Sequence, residues 1–338
     1  MRIRPIAAAF AALALAACAQ EPGTAPGGAE PGEPAWKPDP VPEAKEILVA
    51  VEAAQPKVAV GEDLVFRVTV RNTSQVKARL TVPRLSRGSV SFKVRHAAFD
   101  VAWLDPTRVK ESEQGPEREA EEVREVPPGG SVEGEIRQTA VLAGAFTFVP
   151  LYQCQSLGTG PIAAPAIQVE VTPSAAGPNL GVRLETSQGT IDVKLRGDLA
   201  FQTVTSFATL VKSGFYDGLR FHRVVRGFMA QGGDPRGKGW GGPGYMIRRE
   251  LHGKLPHRRG VLSMARMQHP DTAGSQFFLM FRDDSNLDKL GYATFGEMTS
   301  GADALQRIES LASEAPDGGD QSPREPVILK KASLIFLP

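Results

Sequence analysis

From about residue 45 the chain alternates apolar and polar side chains. In "DLVFRVTVRN", Leu64, Phe66, Val68 and Val70 fall on one side and Val65, Arg67, Thr69 and Arg71 on the other. A strand with one buried face reads this way, because successive side chains point to opposite faces. "SVSFKVRH" (89–96), "AFTFVPLYQ" (145–153) and "AIQVEVTP" (166–173) repeat the pattern, and turn clusters such as "VGED", "RNTS" and "PPGG" separate them. No long helical period appears in these segments. Short strands spread over residues 45–173 predict an antiparallel β-sandwich. The charged stretch "PTRVKESEQGPEREAEEVREVPPGG" (106–130) interrupts them and is expected to be a solvated loop or a short exposed helix.

"TPSAAGPN" (172–179) reads as a linker, and alternation resumes at once in "GVRLETSQGTIDVKLRG". The Ser187–Gln188–Gly189 turn makes this a hairpin. In "FQTVTSFATLVKSGFYDG", Val204, Phe207, Leu210 and Val211 share one helical face, with Lys212 in the last turn and Gly214 as the stop. A second helix fits 301–312, with Ser300 and Asp303 as a capping pair and Leu305, Ile308 and Leu311 as the stripe. The other segments up to 335 are short and β-like. Many short strands with two helices predict a closed barrel whose ends the helices cover.

The N-terminus changes the picture of where the protein works. Arg2 and Arg4 precede the apolar run "IAAAFAALALAA", which is shorter than the roughly 20 residues that span a bilayer. "LAAC", ending at Cys18, resembles the bacterial lipobox, in which the Cys is lipidated and becomes the first residue. The alternative is an ordinary secretory signal in which Cys18 is incidental. Residues 19–44 are rich in Pro, Gly, Glu and Ala and are expected to be a disordered tether. Ala19, not Asp, follows the Cys, which by the usual sorting rule points to a lipid-anchored protein of the bacterial envelope, in the outer membrane and facing the periplasm. The expected domains are therefore 1–18 signal and lipobox, 19–44 tether, 45–173 an immunoglobulin-like sandwich, and 180–338 the barrel.

Composition removes several function classes. The 338 residues carry a formal net charge of +1, so nothing suggests a nucleic-acid binder. Cys18 and Cys154 cannot form a disulfide framework, and Cys154 is expected to pack in a core. The five histidines are scattered, so no metal and no cofactor is expected. "GKGWGG" (237–242) fits G-x-G-x-x-G, but Pro243 blocks a following helix and no βαβ unit surrounds it, so a surface loop is expected. Ser275 in "AGSQF" lacks the elbow of a serine hydrolase.

The remaining candidate chemistry is a guanidinium and a carboxamide among large apolar groups: Arg223 and Gln231 within "FHRVVRGFMAQGGD" (221–234). "FYDGLRFHRVVRGFMAQGGD", "GVLSMARMQHPDTAGSQFFLMF" and "LDKLGYATFGEM" follow one another in order. Together they resemble the motifs of the cyclophilins, the peptidyl-prolyl cis–trans isomerases, over residues 180–335. The resemblance implies an eight-stranded antiparallel barrel capped by two helices, and clients that contain X–Pro bonds. By position, Arg223 corresponds to the catalytic arginine and Gln231 to the glutamine beside it. Phe228, Met229, Phe278 and Leu287 correspond to the wall that holds the substrate proline. Ala265 and Arg266 lie in the segment whose backbone pairs with the substrate, and Gln276 lies on a strand that lines the groove. Without the resemblance, Arg223 could equally be a structural ion pair or a stem that covers core. His222 neighbours it, but strand alternation sends it to the opposite face, and a structural role is expected.

The chain departs from the family pattern at several positions. Asn286 stands where cyclosporin-sensitive members carry Trp, so weak cyclosporin binding is expected. Tyr292 replaces the groove histidine, with one residue inserted in "DKLGY". Arg266 stands where many relatives have Asn, and Arg226 where Pro is frequent. Residues 180–338 hold 21 Lys/Arg and 17 Asp/Glu, a balance of 21 − 17 = +4, which favours acidic clients. A rival reading makes this half a proline-peptide-binding or adaptor module with little turnover. A third gives the main role to the sandwich, bound to an unidentified protein partner. A monomer is expected.

Overall fold

The structure, a computed structural model, describes residues 43–84, 89–104, 122–158, 160–313 and 320–338, with only the backbone described at 100–104. Cys18 and residues 19–42 of the tether lie outside the described residues, as do residues 106–121 of the charged stretch. The described chain is mainly β.

The N-terminal strands are β1 (Ile47–Ala53), β2 (Lys57–Ala59), β3 (Asp63–Asn72), β4 (Ala78–Thr81), β5 (Val90–His96), β6 (Phe99–Leu104), β7 (Val123–Val126), β8 (Ser131–Thr139), β9 (Gly144–Tyr152), β10 (Ile162–Ala163) and β11 (Ile167–Thr172). They form a three-stranded sheet, β1-β3-β8, a six-stranded sheet, β2-β11-β9-β5-β6 with β10 on β9, and the pair β4-β7. The alternation of β3 decides which face is inward: Leu64, Phe66, Val68 and Val70 are all buried. Phe66 meets Phe92 of β5 and Phe148 of β9 at 4.6 and 5.0 Å between ring centroids, so residues from the two larger sheets share a core. Two expectations need correction. The six-stranded sheet is not wholly antiparallel, because the three-residue β2 runs parallel to β11. The charged stretch ends in a strand, because Val123–Val126 finds a ladder partner in β4. Cys154 is buried.

The C-terminal elements are β12 (Asn179–Thr186), β13 (Gly189–Leu195), α1 (Phe201–Lys212), β14 (Arg223–Val225), β15 (Met229–Gly232), β16 (Val261–Met264), β17 (Phe277–Met280), α2 (Ser285–Lys289), β18 (Thr294–Ser300), α3 (Ala302–Ser310) and β19 (Leu329–Leu337). Eight strands form one curled sheet in the order β14-β15-β17-β16-β18-β13-β12-β19. Its ends approach each other: Arg220 and Ile328 form an antiparallel bridge, and the Leu329 N–H donates to the Leu219 carbonyl at 2.7 Å. The Ser187–Gln188 turn joins β12 to β13 as expected.

The α-helices number three among the described residues. The five-residue α2 is too short to leave a helical period in the sequence, and the Asp284 side chain caps it by accepting the Asn286 N–H. The Ser300/Asp303 capping pair does not form. Ser300 ends β18, and Gly301, at φ 99°, precedes α3 without a side-chain cap. A Cβ at Gly301 would sit 2.5 Å from the Thr190 carbonyl oxygen, so strand contact fixes glycine there.

Helix α1 ties the two halves together. Its expected face (Val204, Phe207, Leu210, Val211) is buried, and so are Gln202, Thr203, Thr205 and Ser206. The N-terminal half supplies further contacts. Phe201 stacks on Phe146 at 5.5 Å and meets Phe99 at 5.2 Å. Thr209 Oγ1 accepts the Thr139 N–H at 2.9 Å, and Lys212 Nζ reaches Asp63 Oδ1 at 2.6 Å and the Gly61 carbonyl at 2.9 Å. The Lys212 hydrogen bond, aided by Arg137, holds the Asp63 carboxyl below its ordinary range, although burial opposes this. The connecting segment is ordered by a Ser174–Gly177 bridge.

Candidate active site

Register builds the site. In antiparallel pairs, directly opposed residues point to the same face. Arg223 of β14 opposes Gln231 of β15, and Gln231 opposes Phe278 of β17. One lateral row therefore carries a cation, a carboxamide and an aromatic ring. Met229 lies two residues from Gln231 and so shares its face. Met229, Phe278 and Leu287 are buried in one apolar cluster, with Phe228, Ala265 and Tyr292 packed partly buried against it. Tyr292 meets Phe278 edge-on at 5.7 Å.

Arg223 is half-buried, and its Cζ lies 5.9 Å from the centre of the Phe228 ring. Its Nε donates to Gln321 Oε1 at 2.5 Å, and Nη1 lies 3.5 Å from Gln231 Oε1, at the outer limit of a hydrogen bond. The carboxamides continue the line. Gln231 Nε2 donates to Gln276 Oε1 at 2.9 Å, and Gln276 Nε2 donates to the Gly241 carbonyl at 2.9 Å.

The loop that offers this carbonyl is the one containing "GKGWGG". Asp234 holds it by accepting the N–H groups of Arg236, Lys238 and Trp240 at 2.7, 3.0 and 3.0 Å. Burial opposes the charged form of Asp234, but the backbone donors prevail and hold its carboxyl below the ordinary range. A Cβ at Gly241 would lie 2.1 Å from Asp234 Oδ1, which requires glycine. His222 lies with its Nε2 beside Gly239. Ser275 is buried and donates to the Gly233 carbonyl.

A cation beside a greasy cleft suits a substrate that is apolar apart from one polar centre. The description "Cyclophilin type peptidyl-prolyl cis-trans isomerase/CLD" belongs to the family that matches residues 181–334. A peptidyl-prolyl cis-trans isomerase of Helicobacter pylori is 47% identical over 129 residues, covering 38% of this chain and 77% of that protein. One of Synechococcus elongatus is 46% identical over 128 residues, covering 38% and 86%. A probable isomerase of Brucella suis is 38% identical over 179 residues, covering 50% and 90%. The chain belongs to the cyclophilin-type peptidyl-prolyl cis-trans isomerases.

In this cyclophilin the ten residues expected at the site are linked to one another by strand register, the apolar cluster and hydrogen bonds. Ala265 is tied into the sheet edge by its N–H, which donates to the Gln276 carbonyl at 2.9 Å. Arg266 uses its side chain as well as its backbone. Its Nη1 donates to the Met267 and Gln268 carbonyls, its Nη2 donates to the Leu290 carbonyl at 2.7 Å, and its Cζ stacks 4.5 Å from the Tyr292 ring. Arg266 thus braces the turn that carries Leu290. Sequence reasoning missed Gln321. It follows a Gly/Asp-rich stretch with no periodicity, and it reaches Arg223 because the Val224 N–H donates to its carbonyl at 2.9 Å. Among the described residues, no group of His, Cys, Asp and Glu side chains is placed to hold a metal.

Proposed function

We propose that this cyclophilin isomerises X–Pro bonds in polypeptide clients, with Arg223 as the catalytic residue and Phe228, Met229, Phe278, Leu287 and Tyr292 as the seat of the proline ring. Gln231 steadies the guanidinium, and Ala265, Arg266 and Gln276 line the path of the client backbone. The observation that carries this reading is the half-buried guanidinium beside Phe228, bonded by Gln321 on the edge of the apolar cluster.

The chemistry follows from resonance. An X–Pro bond is held planar by a barrier of about 18–20 kcal/mol. Isomerisation makes and breaks no bond, so no nucleophile is needed. The barrier falls when the twisted state is bound better than either planar one. A guanidinium aimed at the prolyl nitrogen favours the localised lone pair of the twisted amide, and Arg stays charged throughout. Apolar walls strengthen this by excluding water. A gain of 10⁴–10⁶ in rate requires about 5.5–8 kcal/mol of differential binding.

The N-terminal half is read here as an immunoglobulin-like β-sandwich for a protein partner. The chain as a whole is read as a monomeric lipoprotein, anchored through Cys18 to the periplasmic side of the bacterial outer membrane, that assists the folding of proline-containing proteins. These readings rest on the alternating strands, the shared aromatic core of the two sheets and the "LAAC" motif.

The test is exchange of a proline tetrapeptide, measured by NMR, with wild type and Arg223→Ala. Loss of one preorganised donor to a transition state costs about 10²–10³ in rate, and kcat/KM is expected to fall by that factor. Equal values for the two proteins would remove Arg223 from catalysis, and wild-type exchange no faster than the uncatalysed rate would transfer the role to proline-peptide binding without turnover.

A further inference from the structure

Behind the apolar cleft lies a buried polar set that the mechanism above does not use. His257 is 2% exposed. Its Nδ1 lies 2.6 Å from Asp288 Oδ1 and its Nε2 lies 2.9 Å from Ser263 Oγ. The ring is nearly parallel to Phe278, at an interplanar angle of 12° and 6.0 Å between centroids. The backbone adds two ties. The His257 N–H donates to the same Asp288 oxygen at 3.1 Å, and the Asp284 N–H donates to the His257 carbonyl at 2.9 Å.

These contacts converge on two members of the apolar cluster, Phe278 and Leu287. Ser263 opposes Phe278 in the β16–β17 register. Asp288 follows Leu287, the one buried residue of α2. A helix of five residues has little stability of its own, because nucleation is costly and too few bonds follow it. The place of Leu287 therefore depends on what anchors α2 to the sheet, and His257 supplies three of those anchors. Imidazole is suited to this. It offers polar atoms on opposite edges and a flat face to the ring between them, whereas a carboxamide can reach Asp288 or Ser263 but not both.

We propose that His257 is a positioning residue for isomerisation, which sets the distance between Phe278 and Leu287 and so the width of the cleft that holds the proline ring. The proposal rests on the reading of these two residues as cleft walls. A looser cleft weakens the hold on the ring in the planar and twisted states alike, so the loss falls on KM rather than kcat.

The experiment measures kcat and KM for a proline tetrapeptide with the full chain, in His257→Ala, His257→Gln, Asp288→Ala and Leu287→Ala, alongside thermal midpoints and the Leu287 methyl resonance. His257→Ala and Asp288→Ala are expected to raise KM about 10-fold with kcat within about twofold, and to shift the Leu287 methyl; His257→Gln recovers part of the loss. Asp288 is partly exposed, so its variant decides the matter if His257→Ala fails to fold. A wild-type KM in Leu287→Ala removes the cleft reading, and the proposal with it. A raised KM in Leu287→Ala, with wild-type KM in the folded His257 and Asp288 variants, overturns the proposal alone.

Discussion

Helix α1 is covered on both sides, and this sets a strong expectation for how the chain unfolds. Phe201, 5% exposed, opens the helix, stacks on Phe146 and meets Phe99, both of the six-stranded sheet. Phe201→Ala removes a buried ring from that junction. A buried Phe→Ala change costs about 3–5 kcal/mol, through lost transfer energy and the cavity left behind. Domains hold only about 5–15 kcal/mol in total. The thermal midpoint is expected to fall by roughly 6–20 °C, at about 2–4 °C per kcal/mol for a chain of this size. Because the ring belongs to one half and its partners to the other, both halves should lose protection together. Hydrogen exchange followed by mass spectrometry reads this directly. Amides of β3 and β9 and amides of β12 and β13 are expected to exchange faster by a similar factor, about 10² to 5 × 10³. Acceleration confined to β12 and β13, with β3 and β9 unchanged, would refute the shared core and leave two domains that merely touch.

Two further outcomes follow from long-range partners. Glu250 caps α1 by accepting the Gln202 and Thr203 N–H groups at 3.0 and 2.8 Å, and Glu250→Gln is expected to cost about 1–3 kcal/mol in chemical denaturation by turning a donor toward one of them. Burial raises the Glu250 carboxyl above its ordinary value, so the folded state keeps the proton to higher pH, and wild-type stability relative to the Gln variant should decline as pH rises through that window; a gap that widens with pH would contradict the assignment. Gln321→Ala removes the partner of Arg223 Nε and is expected to lower kcat/KM about 10-fold in the peptide assay with the thermal midpoint unchanged, whereas wild-type kcat/KM would show that Gln321 is not needed to aim the guanidinium.

What the sequence made legible is what strand alternation and local spacing encode. Arg223, Gln231 and Phe278 could be placed together through the resemblance of their motifs to the cyclophilins, and the strand register sets them in one row. The partners that hold those residues were not legible. Gln321 bonds Arg223 across 98 positions, Glu250 reaches α1 across 47, and Asp288 reaches His257 across 31, and none lies within one period of its target.

The second face of α1 was hidden for a different reason. Its Thr and Ser residues add nothing to the apolar stripe, yet small hydroxyls can be buried once they find acceptors, and a helix supplies some of its own. Thr209 Oγ1 donates to the Thr205 carbonyl one turn back while it accepts the Thr139 N–H from the other half, and Ser206 Oγ lies 2.9 Å from the Tyr245 hydroxyl. Such a face is polar in composition but asks little of water. A periodicity argument sorts faces by polarity alone, so it cannot distinguish solvent from a neighbouring sheet. Thr203, Ser206 and Thr209 find partners for their hydroxyls while Thr205 Oγ1 is buried without one, and that is a property of the folded chain.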